Sequence, residues 1–484
     1  MSVLVCKSRC ALLVGLCLVV AAPVGSGQLN ATGNTKQVGF LNLGAGSSST
    51  QGLWAYENGG KRYCLQTQGS SGLRIIETTD TSNPTLIRTI PGNFRKVQVF
   101  QDYAYATTDS GPTVIIDLSD ISQAGVVSQI STGAHTLRVD DSNGRLYLNK
   151  SSSMYIYDIL EDPTTPNLLG IWSGGSHDCR PAGDIVYANG FQSTPTRILD
   201  VTNPQSPVQI GTVSDGNHAS DIYITPTGDK ILLTCDEQSG GHVNIWDVTD
   251  PGQTQFLASY QTDTSTSVHN VEVKGAYAYV AYYQDQLRIL DLRNPSNPVE
   301  VGVWDNNRLN TGSLYSDAWE SIPDHDAIYM NQMNNTAAGP KGLQVIDFFP
   351  GFGIASDGAG AVKPEIWWSF GPPSPGNSDF ALRLTDAAPN STAWLILGSS
   401  NTNWGPTNLP TSMGSIGAPN ALLYVSVDVL IPTTTDANGE ASLSLPIPAG
   451  VQYATYYAQW AVQDAGAPNP GGWAFTNAGE LVLK

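Results

Sequence analysis

Charge is scarce in this chain, and basic charge scarcer still: 13% of 484 residues are charged, and 23 Lys and Arg face 42 Asp and Glu, for a formal net charge of -19. A chain so acidic offers no basic stripe to track phosphates, which excludes nucleic acid as a partner. Long apolar runs are also missing. The one candidate, residues 11–22 behind Lys7 and Arg9, is too short and wrongly flanked to span a bilayer, and the small residues through Gly27 complete a secretory signal peptide over residues 1–27. The mature chain is therefore expected to carry no transmembrane segment and to be secreted or held at the cell surface. Of six cysteines, Cys6, Cys10 and Cys17 leave with that leader, so Cys64, Cys179 and Cys235 allow one disulfide at most. Cys179 with Cys235, in adjacent repeats, is the expected pair; the alternative is three small buried side chains. No nucleophile elbow, phosphate loop or HExxH helix occurs, so the hydrolase and nucleotide-binding classes that depend on them find no support.

What the chain has in abundance is one repeated unit. Residues 267–302 contain an alternating strand (269–273), a Lys-Gly turn, a second strand (276–282), a third ending in an acid (287–291), an Asn-Pro turn, and a fourth strand (299–303). Period-2 alternation with Gly, Asn and Pro punctuation every eight to twelve residues predicts strands and turns. Four short antiparallel strands per repeat make a propeller blade. The acid-ended third strand recurs at residues 73–77, 114–117, 155–158, 197–200, 243–247, 287–291 and 343–347, which predicts seven blades. Asn83-Pro84, Asp162-Pro163, Asn203-Pro204, Asp250-Pro251 and Asn294-Pro295 follow most of these acids, whose expected role is to accept backbone N–H groups in the turn. Residues 36–41 match the fourth strands of other repeats and are expected to complete the seventh blade, closing the ring. The fold class is thus all-β: a seven-bladed β-propeller over 36–350, a glycine-rich linker over 351–363, and a β-sandwich over 364–484.

The segment Gly72-Leu73-Arg74-Ile75-Ile76, its relatives and the Asn-Pro turns resemble the LVIVD-repeat propellers of secreted bacterial proteins. More narrowly, the order of Ala134-His135-Thr136, Ser176-His177-Asp178, Asn217-His218, Cys235-Asp236-Glu237 and Val268-His269-Asn270 is similar to that of the choice-of-anchor B family. That resemblance implies a shared propeller with a varying means of surface attachment and no defined reaction. The C-terminal part resembles a small β-sandwich found at the ends of many exported bacterial proteins.

Four of the six histidines fall at one place in the repeat: His135, His177, His218 and His269 open the first strands of blades three to six. First strands line a propeller's channel, so these imidazoles are expected on one rim. Neutral imidazoles with one or two carboxylates suit a divalent transition metal such as Fe, Zn or Cu. Asp178, Asp221, Glu237 and Asp317 are the carboxylates within reach, and Gly52 and Lys96 are expected to take the histidine place in blades one and two, Lys96 pairing with Asp317 or Glu237 or holding an anion. The alternative is that the histidines bond a neighbouring blade's backbone and fasten the ring. His242 and His325 are expected to be structural.

Three functions follow: a monomeric, non-enzymatic binding protein that takes a small ligand or a surface partner at the propeller face; a metal-dependent oxidoreductase or hydrolase; or a structural envelope or matrix component. Fold alone does not choose among them.

Overall fold

The computed structural model describes all residues except 1–33, 45–48, 151, 192–193, 217, 306–313, 325–326, 334–341, 370–372, 374, 452–453 and 484. The signal-peptide expectation and His325 lie outside the described residues. Among the described residues there is no α-helix, only two short 3-10 turns, and no helix is long and apolar enough to cross a membrane.

Strands dominate as the alternation predicts. Among the described residues seven four-stranded antiparallel sheets follow one another, and six of them are built from four consecutive strands. The sixth shows the local logic. Asn270–Lys274 turns through Gly275, whose φ of 62° a side chain would resist, into Tyr277–Ala281, then Leu287–Asp291 and Val299–Trp304. Thr35–Asn42 pairs antiparallel with Gly342–Phe348, so the sheet of Ala318–Asp324, Ala327–Gln332 and Gly342–Phe348 takes its fourth strand from the other end of the chain. The first strand of each sheet packs on the first strand of the next, and Ala318–Asp324 packs on Leu53–Asn58. The arrangement is propeller-like.

The acids that end the third strands do what the turn requires. Asp117, Asp158, Asp200, Asp247 and Asp291 each accept the N–H two residues on, at 2.8 to 2.9 Å. The turns that follow are clamped by neighbouring sheets: a Cβ on Gly211 would lie 1.9 Å from the Pro251 carbonyl, so only glycine lets the fourth strand of one sheet approach the turn of the next.

Two expectations are corrected. Among the described residues Cys64, Cys179 and Cys235 are all free thiols. Cys179 packs among Tyr147, Ile156 and Val186 while Cys235 packs among Leu233, Val268 and Tyr282, so the two thiols point into different layers between sheets. Burial holds the Cys179 thiol up at about 12, leaving it an inert small hydrophobe. Residues 351–363 are no loose linker either. Gly351–Phe352 pairs with Ala478 and Gly479, the Ser356 N–H donates to the Phe475 carbonyl at 2.8 Å, and the Ala359 N–H donates to Asp464 at 2.7 Å. The glycines there signal backbone freedom, but the buried Phe349 and Phe352 decide the outcome.

Beyond this strap lie a five-stranded sheet, ordered Gly351–Phe352, Trp473–Leu483, Ala454–Gln463, Thr392–Gly398, Val429–Thr434, and a three-stranded sheet of Glu365–Ser369, Ala381–Thr385 and Ala441–Ser444. Their shared core of Trp367, Trp368, Leu382, Leu395 and Trp460 is continuous with Tyr277, Tyr279 and Phe348 of the sixth and seventh sheets. Arg293 bridges Asp291 of the sixth sheet to Glu480 on the far side.

Candidate functional site

The four histidines do occupy one register. The N–H of His135, His177, His218 and His269 each donates to a carbonyl at or next to the end of the second strand of its own sheet, at 2.9, 2.8, 2.7 and 3.0 Å. In the first and second sheets the same bond is made by Gln51 and Arg95, at 3.0 and 2.9 Å. The expected positions of Gly52 and Lys96 were therefore one residue late. Asp317 is also displaced. Asp317 lies buried at φ 73° with its carbonyl accepting the Met333 N–H, and in the seventh sheet it is Trp319 that continues the arc, its carbonyl bonded by the His269 ring and its own N–H donated to the Asn331 side-chain oxygen.

The rings form a continuous arc. Centroids are 4.7 Å apart from His135 to His177, 4.5 Å to His218, 4.4 Å to His269 and 4.5 Å to Trp319. The Lys96 ammonium stands 4.7 Å from the Trp319 ring centre and the Arg95 guanidinium 5.6 Å, a cation–π pair of contacts that ends the arc. Phe191 stacks on His177 at 4.8 Å and Tyr315 meets Tyr283 edge-on at 5.6 Å; both are partly in solvent, at 40% and 47% exposure. Along the arc the side chains sink, from 30% exposed at His135 to 5% at His218 and 2% at His269.

Burial sets the charge of these rings. It pushes His177 down to about 4, with His135 adding to the effect, and holds His218 and His269 well below the usual imidazole value, helped by His269 and Lys96 respectively. Neutral imidazoles have one N–H and one lone pair, and here the partners choose which. His218 Nδ1 faces the His269 carbonyl at 3.2 Å and His269 Nδ1 faces the Trp319 carbonyl at 2.5 Å. A carbonyl only accepts, so both protons sit on Nδ1 and both Nε2 lone pairs are free. His218 and His269 thus each bond a neighbouring sheet's carbonyl with one nitrogen and keep a lone pair on the other.

The free nitrogens converge on Glu237. His218 Nε2 is 3.5 Å from one carboxylate oxygen and His269 Nε2 is 3.8 Å from the other, and all three ligand atoms lie within 4.8 Å of one another. The Tyr283 hydroxyl donates to the same carboxylate and fixes it. Tyr283 holds φ 41°, a conformation an aromatic residue rarely adopts, so its aim is imposed by the surrounding structure. Burial raises the Glu237 carboxyl to about 7, the hydroxyl only partly offsetting it. His135 stands apart, its Nδ1 2.9 Å from Asp109, and His177 Nδ1 is buried without a partner.

Asp178 and Asp221 belong to a different layer. Below the rim the channel is filled by ion pairs: Lys96 with Glu320, Arg138 with Glu272 at 2.6 Å and with Asp178 at 3.6 Å, and Arg180 with Asp221 at 2.7 Å and Glu272 at 3.4 Å. Lys96 therefore pairs with Glu320 and not with the expected Asp317 or Glu237. Burial pushes the Glu272 carboxyl up, and Arg138 and Arg180 together pull it below its ordinary value. Arg138, Arg180, Glu272 and Glu320 went unnoticed in the sequence, although a signal was present: three residues after each histidine come Arg138, Arg180, Asp221 and Glu272, two cations facing two anions.

Comparison with known proteins agrees with the repeat reading. Residues 91–132 and 266–306 are LVIVD repeats. No curated protein matches the chain. Among solved structures, the computationally designed Ika8 protein is similar at 10% identity over 64% of this chain and 99% of its own, with a TM-score of 0.44. A putative 6-phosphogluconolactonase from Bacteroides fragilis is similar at 13% identity over 55% and 93%, with a TM-score of 0.45. Neither likeness bears on what the rim binds.

Proposed function

We propose that the chain is an exported, seven-bladed LVIVD propeller that works as a non-enzymatic binding module through its histidine rim. In this reading residues 1–27 are a signal peptide, 36–350 form a ring closed by the N-terminal strand, and 364–484 form a β-sandwich docked on its side through the strap at 351–363. The pairing of Thr35–Asn42 with Gly342–Phe348 and the round of first-strand contacts support closure. The acidic charge and the leader-like composition support export.

One observation carries the binding role: below the rim the charged side chains pair with each other, whereas at the rim two imidazole Nε2 atoms and one carboxylate face one another. The layer below the rim is taken up by the mutually paired side chains of Lys96, Glu320, Arg138, Arg180, Asp221 and Glu272, so this reading places recognition at the rim, where the Phe191 and Tyr315 rings flank the imidazole arc. A purely structural component would have no use for converging free acceptors.

A thermal-shift screen of the mature protein against glycans, aromatic carboxylates and small peptides tests this reading. Ligands that stabilise the wild type and lose their effect in Phe191→Ala or Tyr315→Ala support it. Hits indifferent to both substitutions, or chemical turnover of any hit, contradict it.

A further inference from the structure

The strongest unexplained feature is electrostatic. Two imidazole lone pairs and a carboxylate meet at Glu237 with one donor among them, the Tyr283 hydroxyl, and both histidine protons already committed to carbonyls on the far side of the rings. Acceptors do not converge in a buried place unless something positive sits between them. A proton is the least that would serve. The geometry, however, matches a larger occupant: two ligand atoms each about 2.1 Å from an ion and separated by the tetrahedral angle lie about 3.4 Å apart. The observed separations are 3.5 and 3.8 Å, to the two different oxygens of Glu237, and one ligand atom from each residue lies within 4.8 Å of the others, so an ion would draw the three inwards.

We propose that His218, His269 and Glu237 form a binding site for one divalent first-row transition ion of the zinc or iron(II) class. Two imidazoles and one carboxylate are the donor set that suits these ions, and borderline nitrogen donors disfavour calcium and magnesium. The outer contacts are those a metal site needs. Each ligating ring is oriented by an N–H bond to a backbone carbonyl, and the carboxylate is oriented by Tyr283. Three protein ligands leave at least one coordination position for water or for a donor atom of whatever the rim binds.

The proposal narrows the sequence expectation. His135 and His177 are in the arc but outside the ligand set: His135 is held by Asp109, and the cluster of converging donors comprises three residues among those described. Phe191 stacks on His177, and its ring centroid lies 6.2 Å from that of His218 in an edge-on contact, so an aromatic ring flanks the site. The inference deepens the reading of the rim as a binding site, yet its failure would leave that reading intact, because the ligand screen is run without added metal.

The test uses untagged mature protein stripped with chelator, dialysed, and titrated with zinc chloride or, under anaerobic conditions, iron(II) chloride alone. The wild type is expected to take up close to one equivalent. Glu237→Gln, which keeps an oxygen for Tyr283, is expected to weaken uptake about tenfold or more, as is His269→Gln, while His135→Ala leaves stoichiometry and affinity unchanged. Cobalt(II) substitution supplies a second readout, with visible bands of a nitrogen- and oxygen-ligated site in the wild type that vanish in Glu237→Gln. Circular dichroism checks that each variant folds, and if His269→Gln does not fold, Glu237→Gln decides. No uptake by the wild type, or uptake equally strong in folded Glu237→Gln, would overturn the proposal.

Discussion

The rim and the interior of the same channel are a few residues apart along each first strand, and they treat polar groups in opposite ways. In the interior every acid meets a cation: Glu320 meets Lys96, Glu272 meets Arg138 and Arg180, Asp221 meets Arg180, and Asp178 lies 3.6 Å from Arg138. At the rim four imidazoles stack in an arc that ends on Trp319 and the Arg95 and Lys96 cations, and two of them face the Glu237 carboxylate, which accepts from Tyr283. Paired charges in a dry channel serve the fold, because each was desolvated at a cost that only its partner offsets. Unpaired acceptors in an equally dry place serve a guest.

That contrast can be broken most forcefully in the interior. Arg138→Met leaves Asp178 without a cation and Glu272 with Arg180 alone, and denaturant unfolding should show a loss of about 3–5 kcal/mol; a loss below about 1 kcal/mol would mean that these ion pairs do not hold the channel layer together. Lys96→Met and Glu320→Gln should each cost about 2–4 kcal/mol, and the double variant should fall short of their sum by at least about 1 kcal/mol, since removing both partners leaves no orphan charge. The rim should respond differently. In the presence of chelator, Glu237→Gln should be neutral or stabilising by up to about 1 kcal/mol, because the amide offers donors where acceptors crowd. A loss above about 2 kcal/mol there would make Glu237 as structural as Glu272. The smallest expected effect is that of reductant. All three cysteines should react with a thiol reagent only after unfolding, and the thermal midpoint should be the same with and without dithiothreitol.

Much of the fold was legible because propeller repeats write each strand and turn into the local sequence. The third-strand acids of residues 117, 158, 200, 247 and 291 marked their turns correctly, and residues 36–41 were recognisable as a fourth strand without a sheet of their own. The histidine register and the reach of Glu237 were legible for the same reason. What failed depended on single-residue register or on long-range packing. Gly52 and Lys96 were placed one residue off because their sheets carry no histidine to anchor the alignment, and a shift of one along a strand exchanges faces. Asp317, expected within reach of the histidines, does not join them; Trp319 continues the arc instead, from a first strand that is irregular between Ala318 and Ser321. The strap at 351–363 was misread because composition reports glycine and not the neighbour that buries Phe352. The Arg138–Glu272 pair joins residues 134 apart, and nothing local announces it beyond the repeating three-residue offset from each histidine.

The central claim is that the rim, and not the channel beneath it, is where this protein holds something. Anomalous scattering from a crystal of the mature protein soaked in zinc tests it most directly. The account predicts one strong peak bounded by His218 Nε2, His269 Nε2 and the Glu237 carboxylate. A map without that peak, or with its strongest peak among Arg138, Asp178, Asp221 and Glu272, would contradict it.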